Sequence, residues 1–310
     1  MSIGSTLLLL DAPNNLEFGI DFNSWKVGPK FRGMRLIPPG IHFVHYSLNE
    51  FKTGFFINCT NETMVYKWSS ENEQFEPFQL DIIPNYDEYL GLYPKEMTLW
   101  KEHFEYINMK TVNRMISNHV NNGSSSLYSV VLEKELQRDL DKLALATNSE
   151  PITVPTKEKT DWVNFTSLNL KYSYPPNATP SEITKYSVDK SYLLSLVLDI
   201  LAEFSITFIL FHLGQFYDAF EHWKTLVKVI TSSIDFIESE NDTFKKLIKL
   251  FIKQIKEFPP DFDLEFIHWS CINLVENCLE CGVETDFVLY LNKKFGWDLL
   301  NETEQPLVVE

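Results

Sequence analysis

Between Leu7 and Trp68 short apolar-aromatic runs are cut by strong turn chemistry, most clearly in Glu17–Tyr46, EFGIDFNSWKVGPKFRGMRLIPPGIHFVHY. Phe18, Ile20 and Phe22 alternate with Gly19, Asp21 and Asn23, and Ile41, Phe43 and Tyr46 follow the second turn. Such period-two patterning marks half-buried strands. Pro29, Pro38 and Pro39 have a fixed φ and no N–H, and Gly28 and Gly40 supply turn conformations, so the strands must lie between these marks. The pattern predicts strands at Leu7–Leu10, Phe18–Phe22, Phe31–Ile37, Ile41–Tyr46, Gly54–Ile57 and Thr63–Trp68, spaced as in a sandwich or barrel-like sheet.

After Pro84 the period changes. Tyr86, Tyr89, Leu90, Met97, Trp100, Phe104 and Ile107 recur near every 3.6 residues, and Leu132, Leu136, Leu140 and Leu143 define another amphipathic helix beyond the loop Asn121–Ser126. Thr147–Thr179 carries Pro151, Pro155, Pro175 and Pro176 with little periodicity and reads as a linker. From Ser181, the expected N-cap, the chain is helical. Leu193–Leu213 is apolar nearly all round, which predicts one buried helix ended by Gly214. Stripes at Phe216–Ile230, Phe244–Ile255, Leu264–Leu279 and Phe287–Phe295 supply four more. The resulting class is α+β in two domains: a β-rich domain with covering helices over 1–146, a linker over 147–179, a helical domain over 180–300, and a tail over 301–310.

Composition narrows the function. The 310 residues are 44% hydrophobic and 14% aromatic, ample for packed cores, and the net charge of −16 repels a phosphate backbone, so no strong direct nucleic-acid binding is expected. A protein is the expected partner. Leu7–Leu10 is too short for a secretory segment and Ile206–Leu213 too short for a bilayer span, so neither a leader nor a membrane role is expected. Four cysteines suit a reducing compartment.

Candidate chemistry is sparse. His268, Cys271, Cys278 and Cys281 form H-x2-C-x6-C-x2-C, the ligand types of structural zinc, yet a single helix over Leu264–Leu279 would keep them from closing a tetrahedron. Buried thiols packing as small apolar groups are the commoner reading. Asp21 with His42 or His45 and Ser47 resembles a hydrolase set, but residues three apart on a strand point to opposite faces, and no nucleophile elbow, P-loop or dinucleotide fingerprint accompanies them. No catalytic residue, metal or cofactor is therefore assigned. Lys245, Lys246, Lys249, Lys253 and Lys256 line one side of a helix in an otherwise acidic chain. They are either a solvated face or, with Lys249 and Lys253 at the centre, a docking surface for an acidic segment or for RNA. Ser239, followed by Glu240, Asn241 and Asp242, suits an acidophilic kinase, and phosphate there would place charge beside Lys245 and Lys246.

The motifs EFGIDFNSW, VGPKFRG, IPPGIHF and HYS, with ATPSEITKYS (Ala178–Ser187) and LGQFYDAFEHWK (Leu213–Lys224) downstream, resemble in order and spacing the A1-cistron splicing factor family. The resemblance implies a β-sandwich-like domain followed by a VHS-like helical bundle. It also implies a non-catalytic assembly factor of the U5 small nuclear ribonucleoprotein, hence a role in pre-mRNA splicing, with the cytoplasm as the expected location of the protein and the nucleus as a second. The implied partner is the particle's large scaffold protein, pre-mRNA-processing-splicing factor eight, bound through its RNase H-like and Jab1/MPN domains. Leu307, Val308 and Val309 follow Pro306 and favour extended backbone, but so short a run needs a host sheet. In the family, the tail is implied to join partner domains as an added strand.

Overall fold

A computed structural model describes residues 4–48, 51–82, 85–116, 163–239, 242–259 and 264–303. The chain divides into two compact units, Met1–Phe165 with Ser205–Glu221 and Thr166–Phe204 with His222–Glu310. An N-terminal β-sheet domain precedes a helical region, the two-domain α+β arrangement that the sequence predicts.

In the first unit the strands are β1 (Ser5–Leu10), β2 (Glu17–Ile20), β3 (Asn23–Lys26), β4 (Gly33–Ile37), β5 (Gly40–Leu48), β6 (Phe51–Cys59), β7 (Thr63–Ser69), β8 (Gln74–Pro77) and β9 (Gly91–Leu92). They form two sheets, in the orders β8-β7-β1-β4-β9 and β3-β2-β5-β6. β1 runs parallel to β7 and antiparallel to β4. Leu7, Leu8 and Leu9 are all buried, as expected of a central strand covered on both faces. Gly33 is required where β4 meets β1: its φ is +127°, and a Cβ there would lie 1.9 Å from the Leu7 carbonyl oxygen. Aromatic rings join the two sheets. Phe55 of β6 meets Tyr66 of β7 at 4.7 Å, and the Tyr46 hydroxyl of β5 accepts a hydrogen bond from the Phe75 N–H of β8 at 3.1 Å.

The hairpin differs from expectation. The expected strand Phe18–Phe22 ends at Ile20; the chain reverses at Asp21, whose φ is 51°, and returns as β3 with Ile20 paired to Asn23. An Asp tolerates that left-handed backbone better than most residues, which the apolar alternation alone does not reveal. Two short helices, α1 (Thr98–Phe104) and α2 (Met109–Met115), follow, and Ile116 bridges Val163. The helix expected around Leu132–Leu143 and the loop Asn121–Ser126 lie outside the described residues, as does 147–162 of the expected linker.

The helical elements are α3 (Pro180–Val188), α4 (Ser191–Ser195), α5 (Ile200–His212), α6 (Tyr217–Thr231), α7 (Ile234–Glu238), α8 (Asp242–Lys256), α9 (Leu264–Glu280), α10 (Phe287–Phe295) and α11 (Leu299–Glu302). The cap of α3 is Thr179, not Ser181. Thr179 and Glu182 form a capping box, the Glu182 carboxylate accepting from the Thr179 N–H at 2.7 Å, with Pro180 in the first turn. The single helix expected over Leu193–Leu213 is two, because Asp199 caps a new start by accepting from the Ala202 N–H at 3.2 Å. α11 takes up Asn301 and Glu302 of the expected tail.

The second unit is centred on Trp223, fully buried, whose indole N–H donates to Gln254 Oε1 at 2.8 Å and whose ring neighbours are Phe204, Phe251, Phe258 and Phe266. Glu203 is also fully buried and accepts from the Thr166 N–H at 2.9 Å, the Thr166 hydroxyl at 2.8 Å and His222 Nε2 at 3.0 Å. Burial alone would raise its carboxyl, but these donors hold it down to about 2.

Candidate docking surface and buried polar centre

β5 carries both histidines singled out by sequence, and its ladder with β6 runs without a bulge from Gly40 to Leu48, so His42 and His45 do lie on opposite faces. They nevertheless meet at one residue. His42 Nδ1 is 2.6 Å from the Asp21 carboxylate, while His45, paired in register with Gly19, folds across that glycine so that Nε2 reaches the Asp21 carbonyl oxygen at 3.0 Å. Only a residue without Cβ fits beneath it: a methyl at Gly19 would stand 2.0 Å from His45 Cε1. The Asp21 carboxylate accepts two further bonds, from the Phe43 N–H at 2.9 Å and the Tyr93 hydroxyl at 2.7 Å.

This centre is closed. His42 is fully buried with Nε2 2.9 Å from the Pro38 carbonyl oxygen, and the Trp100 ring lies parallel on it at 4.6 Å. Ser47, the third member of the imagined hydrolase set, faces Glu17 instead, at 3.5 Å. Every oxygen and ring nitrogen of the Asp21–His42 pair is committed to an internal partner, which is the arrangement of a structural network.

Burial and the nearby Lys52 ammonium hold the His45 imidazole at about 4, below its ordinary 6.5. Because the folded value is depressed, the unfolded chain takes up the proton first as pH falls, so stability present above 6.5 is lost down to about 4. His212, likewise near 4 through burial, adds to the slope of about 1.4 kcal/mol per pH unit for each proton. The urea midpoint should therefore drop between neutral pH and about pH 5, and drop less in His45→Gln, which keeps a donor for the Asp21 carbonyl. An unchanged pH dependence in that variant would remove His45 from the cause.

The four zinc-type residues do not converge. His268 Nε2 turns to Glu302 at 2.6 Å, Cys271 and Cys278 are buried in the core, and Cys281 Sγ points to the Ile234 carbonyl oxygen at 3.9 Å. Burial pushes the Cys271 thiol up to about 12, as in an apolar packing position.

Lys249 and Lys253 stand on α8, whose opposite face buries Phe244, Leu247, Ile248, Leu250, Phe251, Gln254 and Ile255. At 3.6 residues per turn the five lysines of α8 share an arc of about 100°. Lys245, Lys246, Lys249 and Lys256 are exposed. The helix's one acid is Asp242 in the first turn, where it complements the dipole. The lysine pairs 245–249 and 249–253 are like charges one turn apart, each destabilising by roughly 0.2–0.5 kcal/mol. A solvated helix face ordinarily interleaves acids at that spacing.

The stripe does not end with α8. Lys256 Nζ lies 4.8 Å over the Tyr290 ring of α10, and Lys294 Nζ donates to the last carbonyls of α8, Ile255 O at 2.6 Å and Lys256 O at 2.9 Å. Lys293 and Leu289, one turn apart on α10, are exposed, Leu289 to 75%. Sequence periodicity finds the α8 lysines but not this continuation, which depends on how two helices meet.

Ser239 is exposed at the end of α7 and its hydroxyl donates to the Phe236 carbonyl oxygen at 2.6 Å. Leu307, Val308 and Val309 lie outside the described residues.

Two family models match, one described as the AAR2 N-terminal domain over residues 3–117 and one as the AAR2 C-terminal repeat region over residues 165–300. The chain is 31% identical to the protein AAR2 homolog of Homo sapiens, the match covering 99% of this chain and 94% of that one. The Mus musculus homolog is 30% identical with the same coverage, and the Caenorhabditis elegans homolog 29% identical over 95% and 94% of the two chains.

Proposed function

The chain belongs to the AAR2 splicing factor family, and from that premise we propose that it is a non-catalytic assembly factor of the U5 small nuclear ribonucleoprotein. Its partner in this reading is the particle's large scaffold protein, pre-mRNA-processing-splicing factor eight, held through its RNase H-like and Jab1/MPN domains before the particle matures. Assembly takes place in the cytoplasm, with passage to the nucleus. The observation that carries the reading is similarity to curated relatives along 99% of this chain and 94% of theirs, so that both family domains are represented. The acidic charge of −16 favours a protein partner over bare RNA, and the sealed Asp21–His42 centre serves the fold. Leu307–Val309 would add a strand to a partner sheet, and modification of Ser239 would alter docking nearby.

Affinity purification of the full chain from cells, followed by identification of bound proteins and RNAs, tests this. The expected result is co-purification of the scaffold protein with U5 components. Recovery of the chain without any U5 protein would overturn it.

A further inference from the structure

We propose that the lysine stripe of α8 and its continuation on α10 form a docking surface for a short acidic segment of a partner protein, one that carries an apolar residue between its carboxylates. The inference adds a contact of defined chemistry to the assembly reading and stands on the surface itself. Lys249, Lys253 and Lys256 supply a row of cationic groups, the Lys256 ammonium lies over the Tyr290 ring of α10, and α10 adds the exposed Lys293 and Leu289. Leu289, 75% exposed, adjoins Tyr290 and lies one turn from Lys293 on α10, and it fits an apolar anchor better than a sugar-phosphate chain.

Charge complementarity selects the class of partner. Across the whole chain 43 acidic residues outnumber 27 basic ones, so a polyanion that extended beyond the stripe would meet a net repulsive charge. A short acidic peptide can be confined to the stripe; an RNA strand carries its charge along its full length and cannot. Among the described residues Lys245, Lys246 and Lys249 form no ion pair with a carboxylate of this chain, so an incoming carboxylate displaces no internal partner from them. The net negative charge of the chain also disfavours misplaced binding, which makes the stripe a specificity element as well as an attractive one.

The test uses the full chain and three probes: a fluorescent glutamate-rich peptide with one central leucine, its glutamine counterpart, and a single-stranded RNA of matching charge. The glutamate peptide should bind in low salt, weaken steeply as salt approaches the physiological range, and lose at least about tenfold in affinity in the Lys249→Glu/Lys253→Glu variant. Lys249→Gln/Lys253→Gln, which removes charge without reversing it, should fall between, and both variants should stay folded because neither lysine is buried in the core. Equal binding of the glutamate and glutamine peptides, unchanged affinity in both variants, or tighter binding of RNA than of the glutamate peptide would each overturn the proposal. Co-purification of U5 components with the charge-reversed variant bears on the assembly reading alone, so the two can fail separately.

Discussion

Replacing Asp21 with alanine should cost about 3–5 kcal/mol of folding stability, since each buried donor left without its acceptor costs roughly 1–3 kcal/mol. The carboxylate is 1% exposed and is the common acceptor for the His42 ring, the Phe43 N–H and the Tyr93 hydroxyl. Without it three buried donors lose their partner together, and no water has access to replace it. Alanine also tolerates the left-handed backbone at φ 51° less well than aspartate. Asp21→Asn separates the two causes, since asparagine accepts that backbone and can still bond the Phe43 N–H, but places an uncharged amide beside His42. It should lose less than the alanine variant and more than a surface substitution, read from urea midpoints at neutral pH. A loss below about 1 kcal/mol for Asp21→Ala would show that the network is not a main support of the β-sheet domain.

Trp223→Ala should be comparably severe, about 3–5 kcal/mol, because it deletes the largest fully buried side chain and leaves a cavity walled by Phe204, Phe251, Phe258 and Phe266. It also strands Gln254, whose Oε1 loses the indole N–H and whose side chain is fully buried. Trp223→Phe retains most of the apolar volume, so its cost, roughly 1–3 kcal/mol, isolates the unsatisfied amide. The double change Trp223→Phe with Gln254→Leu should then recover part of that loss; absence of any coupling between the two positions would contradict the hydrogen bond's role.

These two centres differ in how far they can be read from sequence. Phe244–Ile255 and Phe287–Phe295 announce α8 and α10 because an amphipathic helix repeats its apolar face locally. The strand at Ile41–Tyr46 is legible from its flanking turn and alternation. By contrast β3 is a short, exposed edge strand with no apolar alternation, and its existence depends on Asp21 accepting a backbone that the hydrophobic pattern does not encode. The break between α4 and α5 depends on one cap, Asp199, inside an uninterrupted apolar run, so periodicity passes over it. Gln254 reads as a polar residue on a helix, and only the approach of Trp223 from another helix makes it a core acceptor. The lysines of α8 are visible in one dimension, whereas Tyr290 joins them through packing.

The bridge between Ile116 and Val163 has a consequence for chain length. The Asn164 N–H also donates to the Met115 carbonyl oxygen at 2.5 Å, so residues 115–116 and 163–164 lie side by side within the first unit. A segment anchored at adjacent ends can change length without moving the scaffold, because closure entropy grows only by roughly 0.6 kcal/mol for each doubling. The two family matches stop at residue 117 and resume at 165, bracketing this same seam. The alignment with the human relative spans 372 positions, more than the 310 residues of this chain. Ends paired in this way tolerate a change in the length between them, so a reporter or affinity handle inserted at this seam should leave the β-sheet domain whole.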